Sequence, residues 1–107
     1  MTTDLDVFED IVFSIMNGTY KDETEDRLFL DKCRDLQEEA EIFNALNPDK
    51  SGYYLVQRKL IVYRIISKIT IEKAGFDDKQ KERLEFVEKG LLSLYWLYME
   101  LLVEIQH

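Results

Sequence analysis

Apolar residues at intervals of three and four positions dominate the last third of the chain. They place seven side chains on one stripe of a helix, namely Leu84, Val87, Leu91, Leu94, Tyr98, Leu101 and Ile105. A second stripe beside it consists of Leu92, Tyr95, Met99 and Leu102, and Trp96, Leu97 and Val103 extend the apolar surface further round. A helix that is apolar on most of its circumference must be covered on several sides. The pattern therefore predicts a long helix that acts as the central packing element of the fold.

The same spacing predicts three further helices, over residues 4–17, 22–46 and 53–74, before the long helix at 77–106. Sequences that favour turns separate them, the clearest being Asn-Pro-Asp-Lys-Ser-Gly at 47–52. The third segment is rich in β-branched residues, which favour strands. It nevertheless runs about 20 residues without a turn signal, whereas strands average about 5–6 residues. We therefore expect a helix there as well.

The short connections favour an all-α fold in which sequential helices are antiparallel neighbours, that is, an antiparallel four-helix bundle. One proline and four glycines in 107 residues leave few helix breakers, which agrees with long helices. Gly90 lies inside the last helix and should mark the close approach of another helix or a slight bend. Asp77, with Gln80 three residues later, forms a capping box at the start of that helix. The length suits a single helical domain over residues 1–107. In this arrangement the acidic second helix would lie beside the basic third helix and partly neutralise it.

The chain holds few of the residues that carry catalysis. Its one histidine is His107, the last residue, and its one cysteine, Cys33, lies in the middle of an apolar stripe. These positions argue against Ser-His and Cys-His arrangements and against a zinc site built on cysteines. The four glycines stand far apart, so a glycine-rich phosphate loop is absent from the sequence. We therefore expect no enzyme activity, no cofactor and no bound metal.

Acidic residues are concentrated in the first half of the chain. Residues 1–49 carry 14 acidic and four basic residues, whereas residues 50–107 carry eight acidic and ten basic residues. On the second helix, five acidic residues are predicted to lie away from the core: Asp31, Asp35, Glu38, Glu39 and Glu41. Such a run is usually a solvated face, but it also suits a protein partner with a basic surface. It repels nucleic-acid phosphates, so direct binding of nucleic acid is not expected.

The long helix carries more apolar surface than a bundle of this length easily covers. The surplus is centred on four residues, Tyr95, Trp96, Tyr98 and Met99. Aromatic residues and methionines are typical of the cores of protein interfaces. Either the other three helices cover this surface or a second protein does. We expect that part of it joins two copies in a homodimer or receives a partner protein.

Together these features favour a small acidic protein that binds other proteins without catalysis. It would act by surface complementarity as an adaptor, a regulator or an immunity-type inhibitor, as a homodimer. One alternative is an acidic mimic of nucleic acid that inhibits a DNA- or RNA-binding protein. A second alternative is an all-α, magnesium-dependent nucleotide pyrophosphohydrolase, which requires Glu38, Glu41, Glu82 and Glu85 to converge on the metal.

The sequence also bears on location. Its amino end, MTTDLDVFED, carries four acidic residues and no basic stretch of the kind that opens a secretory signal. The apolar run at 91–103 is interrupted by Glu100 and is shorter than the roughly 20 residues that a membrane helix needs. We therefore expect a cytoplasmic protein without membrane contact.

Overall fold

The computed structural model describes the backbone of residues 4–16 and 23–106 and the side chains of residues 7–14 and 27–105. Within these ranges the chain forms four α-helices and no strand. The helices are α1 (Asp4–Met16), α2 (Glu23–Leu46), α3 (Ser51–Glu72) and α4 (Asp78–Gln106), and a 3-10 turn at Lys73–Gly75 follows α3. The all-α prediction is confirmed, including the helix over the β-branched third segment. The predicted ends of the first two segments at residues 17 and 22 lie outside the described residues.

Helix α3 begins at Ser51, two residues before the predicted start. The Ser51 amide donates to the Asn47 carbonyl at 3.0 Å, and the Ser51 hydroxyl donates to the Pro48 carbonyl at 3.2 Å. Both bonds tie the first residue of α3 to the end of α2, so the turn leads directly into the helix. Gly52 therefore lies in the first turn of α3 and not in the connecting turn, where the sequence predicted it.

Helix α4 begins with the capping pair that the sequence predicts at Asp77 and Gln80. The Gln80 amide donates to Asp77 Oδ1 at 2.8 Å, and the Asp77 amide donates to Gln80 Oε1 at 3.4 Å. Each side chain thus satisfies an amide that the helix itself leaves without a partner. This exchange fixes the start of α4 at Asp78, two positions after the extended residue Phe76.

Helix α4 contacts each of the other three helices. At 1.5 Å per residue it is about 44 Å long, which matches the longest dimension of the fold, 45 Å. Six of the seven residues on its predicted core stripe are buried, and Ile105 near the end of the helix is exposed. They pack against buried residues of the other helices, which are Phe8, Val12, Phe29, Cys33, Leu36, Ala40, Leu55, Val62, Ile65 and Ile69.

Gly90 lies where α2 approaches α4 closely. A Cβ atom at this position would lie 2.7 Å from Cε1 of Phe29 and 3.5 Å from Sγ of Cys33. The Phe29 ring stacks on Phe8 at a centroid distance of 5.3 Å and lies 5.8 Å from Phe86. The absence of a side chain at Gly90 therefore makes room for an aromatic cluster that joins α1, α2 and α4, as the glycine within a helical pattern predicted.

The basic residues of α3 pair with more than one helix. Arg58 lies 3.3 Å from Glu39 of α2, whereas Arg64 lies 3.2 Å from Glu9 of α1. The expected neutralisation of α3 by α2 is thus limited to one ion pair in the described part of the chain. Within the same ranges, no helix combines the length and hydropathy that a membrane span requires.

Candidate protein-binding surfaces

Helices α3 and α4 carry a second set of apolar residues on the side away from the core. On α3 these residues follow one another at intervals of three and four positions and are exposed, namely Tyr53, Val56, Leu60 and Tyr63. Because the buried residues of α3 recur with the same spacing half a turn away, the helix has apolar residues on two opposite sides. The part of the chain that the structure describes therefore covers α3 on one side only.

The second apolar stripe of α4 lies on the same outer side of the molecule. Leu92, Trp96 and Val103 are exposed, and Tyr95 and Met99 beside them are partly buried. Trp96, the only tryptophan in the chain, has 59% of its surface exposed. The apolar surplus that the sequence predicted for α4 is thus real, and the other three helices do not cover it within the described residues.

Three aromatic rings join the two helices across this surface. The ring centroids of Tyr63 and Tyr95 are 6.2 Å apart, and those of Tyr95 and Trp96 are 5.8 Å apart in an edge-to-face arrangement. The Lys73 ammonium also lies 3.0 Å from Glu88, so earlier residues of α3 lie beside later residues of α4. The two stripes therefore lie side by side and form one continuous surface.

We call this surface the α3–α4 outer face and define it by Val56, Leu60, Tyr63, Leu92, Tyr95, Trp96, Met99 and Val103. A fully exposed aromatic side chain presents roughly 150–250 Å² and an aliphatic one less. Because each residue of this face has at most 59% of its surface exposed, the exposed apolar area of the face is on the order of 500 Å². The largest apolar patch of a typical monomeric protein is about 300–600 Å² and is often functional, so the α3–α4 outer face has the size of a functional patch.

One residue of the predicted contact face is not on this surface. Tyr98 lies in the core and has 1% of its surface exposed. Burial raises the pKa of its phenol well above the usual range. The sequence grouped Tyr98 with Trp96 because both are aromatic neighbours, but they lie about 160° apart on a helix with 100° per residue. The sequence analysis also missed Val56, Leu60 and Tyr63, although their spacing of four and three was visible.

A second surface runs along the last three turns of α2. It is a shallow, open depression of about 540 Å³ along one face of this helix, and its lining residues are Asp35, Glu38, Glu39, Ile42, Phe43, Leu46 and Asn47. We call it the α2 groove. Ile42 and Leu46 have 58% and 74% of their surfaces exposed. The exposure of these two residues was not predicted, because only the acidic residues of this helix face stand out in the sequence.

Glu39 has a structural role at one wall of the groove. It accepts hydrogen bonds from the Tyr54 hydroxyl at 2.5 Å and from Arg58 at 3.3 Å. The Phe43 ring stacks on the Tyr54 ring at 4.0 Å, and the Arg58 guanidinium lies 4.7 Å from the centre of that ring. Burial, together with the hydrogen bond to Glu39, raises the pKa of Tyr54 to about 12. These contacts hold α2 against α3, so Glu39 is engaged within the chain.

The other four predicted acidic residues differ in their surroundings. Asp31 lies 3.5 Å from Arg34 on the same helix. Asp35, Glu38 and Glu41 are exposed. None of these three forms an ion pair with the side chains that the structure describes. Of the five predicted residues, only Asp35, Glu38 and Glu39 line the α2 groove.

The four carboxylates of the hydrolase hypothesis are not brought together. Phe29 of α2 lies beside Phe86, and Cys33 would contact a Cβ at Gly90, so both helices advance in the same direction from this level. Glu38 and Glu41 follow that level in α2, whereas Glu82 and Glu85 precede it in α4, which separates the pairs by on the order of 15 Å or more. Across the side chains described, no group of three or more histidine, cysteine, aspartate or glutamate residues could hold a metal ion.

Cys33 is buried in the core beneath Gly90. Burial raises the pKa of its thiol to about 12, so the reactive thiolate is strongly disfavoured at neutral pH. The cysteine therefore serves as a small apolar core residue, as its place on the apolar stripe predicted.

Comparison of the chain with known protein families, with curated proteins and with solved structures finds no match.

Proposed function

We propose that this chain is a protein-binding module without catalytic chemistry and that two copies associate through the α3–α4 outer face. The observation that carries the proposal is the row of rings formed by Tyr63, Tyr95 and Trp96, in which the two outer rings are exposed and Tyr95 between them is partly buried. Tyrosine and tryptophan supply much of the binding energy in protein interfaces, because they bury a large area at a low cost in side-chain entropy. A cluster of such residues is costly to leave in water.

The size of the face supports a dimer. A standard protein interface buries about 800 Å² on each partner, of which about 65% is apolar in homodimers, and the α3–α4 outer face offers an apolar area of about that size. A two-fold axis places the same face on both sides of the interface, so an apolar surface is complementary to its own copy. Arg64 and Glu100 are exposed near its edges and suit the polar rim that surrounds the apolar centre of such interfaces.

The proposal includes an antiparallel four-helix bundle as the architecture of the subunit. Support comes from Glu39 and Phe43 near the end of α2, which contact Tyr54 near the start of α3, and from Lys73 after α3, which contacts Glu88. In the dimer the α3–α4 layers of two such bundles would pack together.

A cytoplasmic location belongs to the same proposal, since the unpaired Cys33 suits a reducing compartment.

Light scattering coupled to size-exclusion chromatography tests the dimer. We expect the chain to elute with about twice its mass of 12.8 kDa, and Trp96→Glu to elute as a single chain because it places a charge at the centre of the face. Leu30→Glu is the matched control, since Leu30 is an exposed apolar residue of α2 outside the face. A single-chain mass for the unchanged protein at high micromolar concentration would contradict the dimer, as would equal effects of both variants.

An acidic mimic of nucleic acid is the second candidate. Asp35, Glu38 and Glu41 favour it, since they are exposed and unpaired among the described side chains. The two candidates differ in their response to salt. Binding between opposite charges weakens steeply as salt rises, whereas apolar association barely changes. A dimer mass that persists from low to high salt supports the apolar contact, and a basic partner that is released by salt alone supports the mimic.

A further inference from the structure

The α2 groove combines apolar and acidic residues at the spacing of a helix, and the proposed dimer leaves it open. We propose that this groove binds a helical segment of a partner protein that carries lysine or arginine beside apolar side chains. The inference shares the class of function proposed above but uses a different surface. A single-chain mass in the dimer test would therefore leave it standing.

The floor of the groove is apolar and held in place. Ile42 and Leu46 are one helical turn apart, so their side chains lie next to each other along α2. The Phe43 ring beside them is fixed by its stack on Tyr54 at 4.0 Å. Two exposed aliphatic side chains beside a fixed ring form a surface against which apolar residues of a bound helix can pack.

The end of the α2 groove that precedes Ile42 is acidic. Glu38 lies one turn before Ile42 and Asp35 lies two turns before it, so both carboxylates line the same side of α2. They form no ion pair with the described side chains, and the groove is lined by no basic residue. The Arg58 guanidinium is the nearest basic group to Glu39, and it is already bound there. The groove therefore presents uncompensated negative charge, which favours a basic partner.

The length of the groove fits a short helix. Its lining extends from Asp35 to Asn47, which corresponds to about 18 Å along α2 at 1.5 Å per residue. A bound helix of about three turns would cover this distance and would place two apolar residues over Ile42 and Leu46. Its basic residues would then lie beside Asp35 and Glu38. In this mode of recognition an amphipathic helix lays its apolar side on an apolar surface of the receptor. Here α2 supplies the acidic residues and the bound helix supplies the basic ones.

Fluorescence anisotropy with a labelled peptide tests the inference on the full chain. The probe is a peptide of about four helical turns with leucine at every third or fourth position and lysine at the flanking positions. Its control has the same composition in an order that spreads leucine around the helix. We expect the first peptide to bind at least about tenfold more tightly, because only its apolar residues reach the floor together.

Variants assign the binding to the groove. Glu38→Gln and Leu46→Ser should each weaken the peptide complex by about fivefold to tenfold. Their matched controls, Glu41→Gln and Leu30→Ser, change exposed residues of α2 outside the groove and should leave the affinity unchanged. All four positions are exposed, and circular dichroism verifies that each variant keeps its helices.

Three results would overturn the inference. Equal affinity for both peptides would show that charge alone attracts them, as expected of a nucleic-acid mimic. An equal loss in Glu41→Gln and Glu38→Gln would place the binding outside the groove. Complete loss of the first complex at high salt would exclude a contribution from Ile42 and Leu46. A part of the affinity that survives high salt supports the apolar floor.

Discussion

The two sides of the α3–α4 pair carry apolar residues with the same spacing, yet the described part of the chain covers only one of them. On α4, Leu94 faces the core and is fully buried, whereas Leu92 faces outward and is 42% exposed. The periodicity of a sequence thus indicates that a face has to be covered, but it does not indicate whether the same chain or another copy covers it. The difference between the two sides becomes measurable when matched residues on them are changed.

The largest effect is expected from the matched pair Leu94→Ala and Leu92→Ala. Leu94→Ala leaves a cavity in the core and should lower the free energy of unfolding by about 2–5 kcal/mol. Leu92→Ala should lower it by less than about 1 kcal/mol in dilute solution, because an exposed side chain loses few contacts there. Urea unfolding followed by circular dichroism measures both. If a second copy covers the outer face, the difference between the unfolding free energies of the two variants should become smaller at high protein concentration.

A smaller effect is expected from Gly90→Ala on the inner side. The new methyl group would collide with the Phe29 ring, whose neighbours Phe8 and Phe86 restrict its movement. Overpacking costs about 1–3 kcal/mol, and the higher helix propensity of alanine returns about 1 kcal/mol, so a net loss of up to about 2 kcal/mol is expected.

Gly52→Ala is the control for this substitution, because a Cβ at Gly52 meets no atom within 4 Å. It should stabilise the protein by up to about 1 kcal/mol. Thermal unfolding of both variants against the unchanged chain measures the two shifts. Equal shifts in the same direction would contradict the close approach of α2 and α4 at Gly90.

The smallest effect is expected at the edge of the α2 groove, from Tyr54→Phe. It removes one hydrogen bond to Glu39 and should cost about 1 kcal/mol at neutral pH. The folded state raises the pKa of Tyr54 to about 12, whereas an exposed tyrosine has a pKa of about 10. The stabilising contribution of the neutral phenol is therefore complete below pH 10 and is lost as the pH rises towards 12.

Urea unfolding at a series of pH values tests this assignment. Between pH 10 and 12 the unchanged chain should lose stability more steeply than Tyr54→Phe. The unchanged chain and the variant both retain Tyr98, whose raised pKa lowers the stability of each protein as the pH rises. Identical slopes would contradict the assigned role of Tyr54 at the junction of α2 and α3.

Much of the fold follows from the sequence, since its main signals are local. The spacing of Leu84 to Leu101 predicted the buried side of α4, and Asp77 with Gln80 predicted its capped start to within one residue. Gly90 predicted a close approach. These features depend on helix geometry and capping, which the chain specifies over a few residues.

The surfaces were harder to predict because they depend on which helices are neighbours. Nothing in the sequence distinguishes the role of Glu38 from that of Glu39. Glu39 joins α2 to α3 only because the fold places Tyr54 and Arg58 within hydrogen-bond distance of it. The same applies to Tyr98, which the sequence placed both on the core stripe and on the contact face, and which the fold buries. Charge likewise predicted that α2 would partly neutralise α3, whereas only Arg58 pairs with α2 among the described side chains and Arg64 pairs with Glu9 of α1.

The exposed position of Trp96 makes the chain its own optical probe. Because no other tryptophan is present, all of the indole emission comes from the centre of the α3–α4 outer face. An indole in contact with water emits at longer wavelength than one in an apolar contact, so any molecule that settles on this face shifts the colour of the emitted light. Dilution of the unlabelled protein in a fluorimeter would then report how the face is occupied, without a dye or a tag.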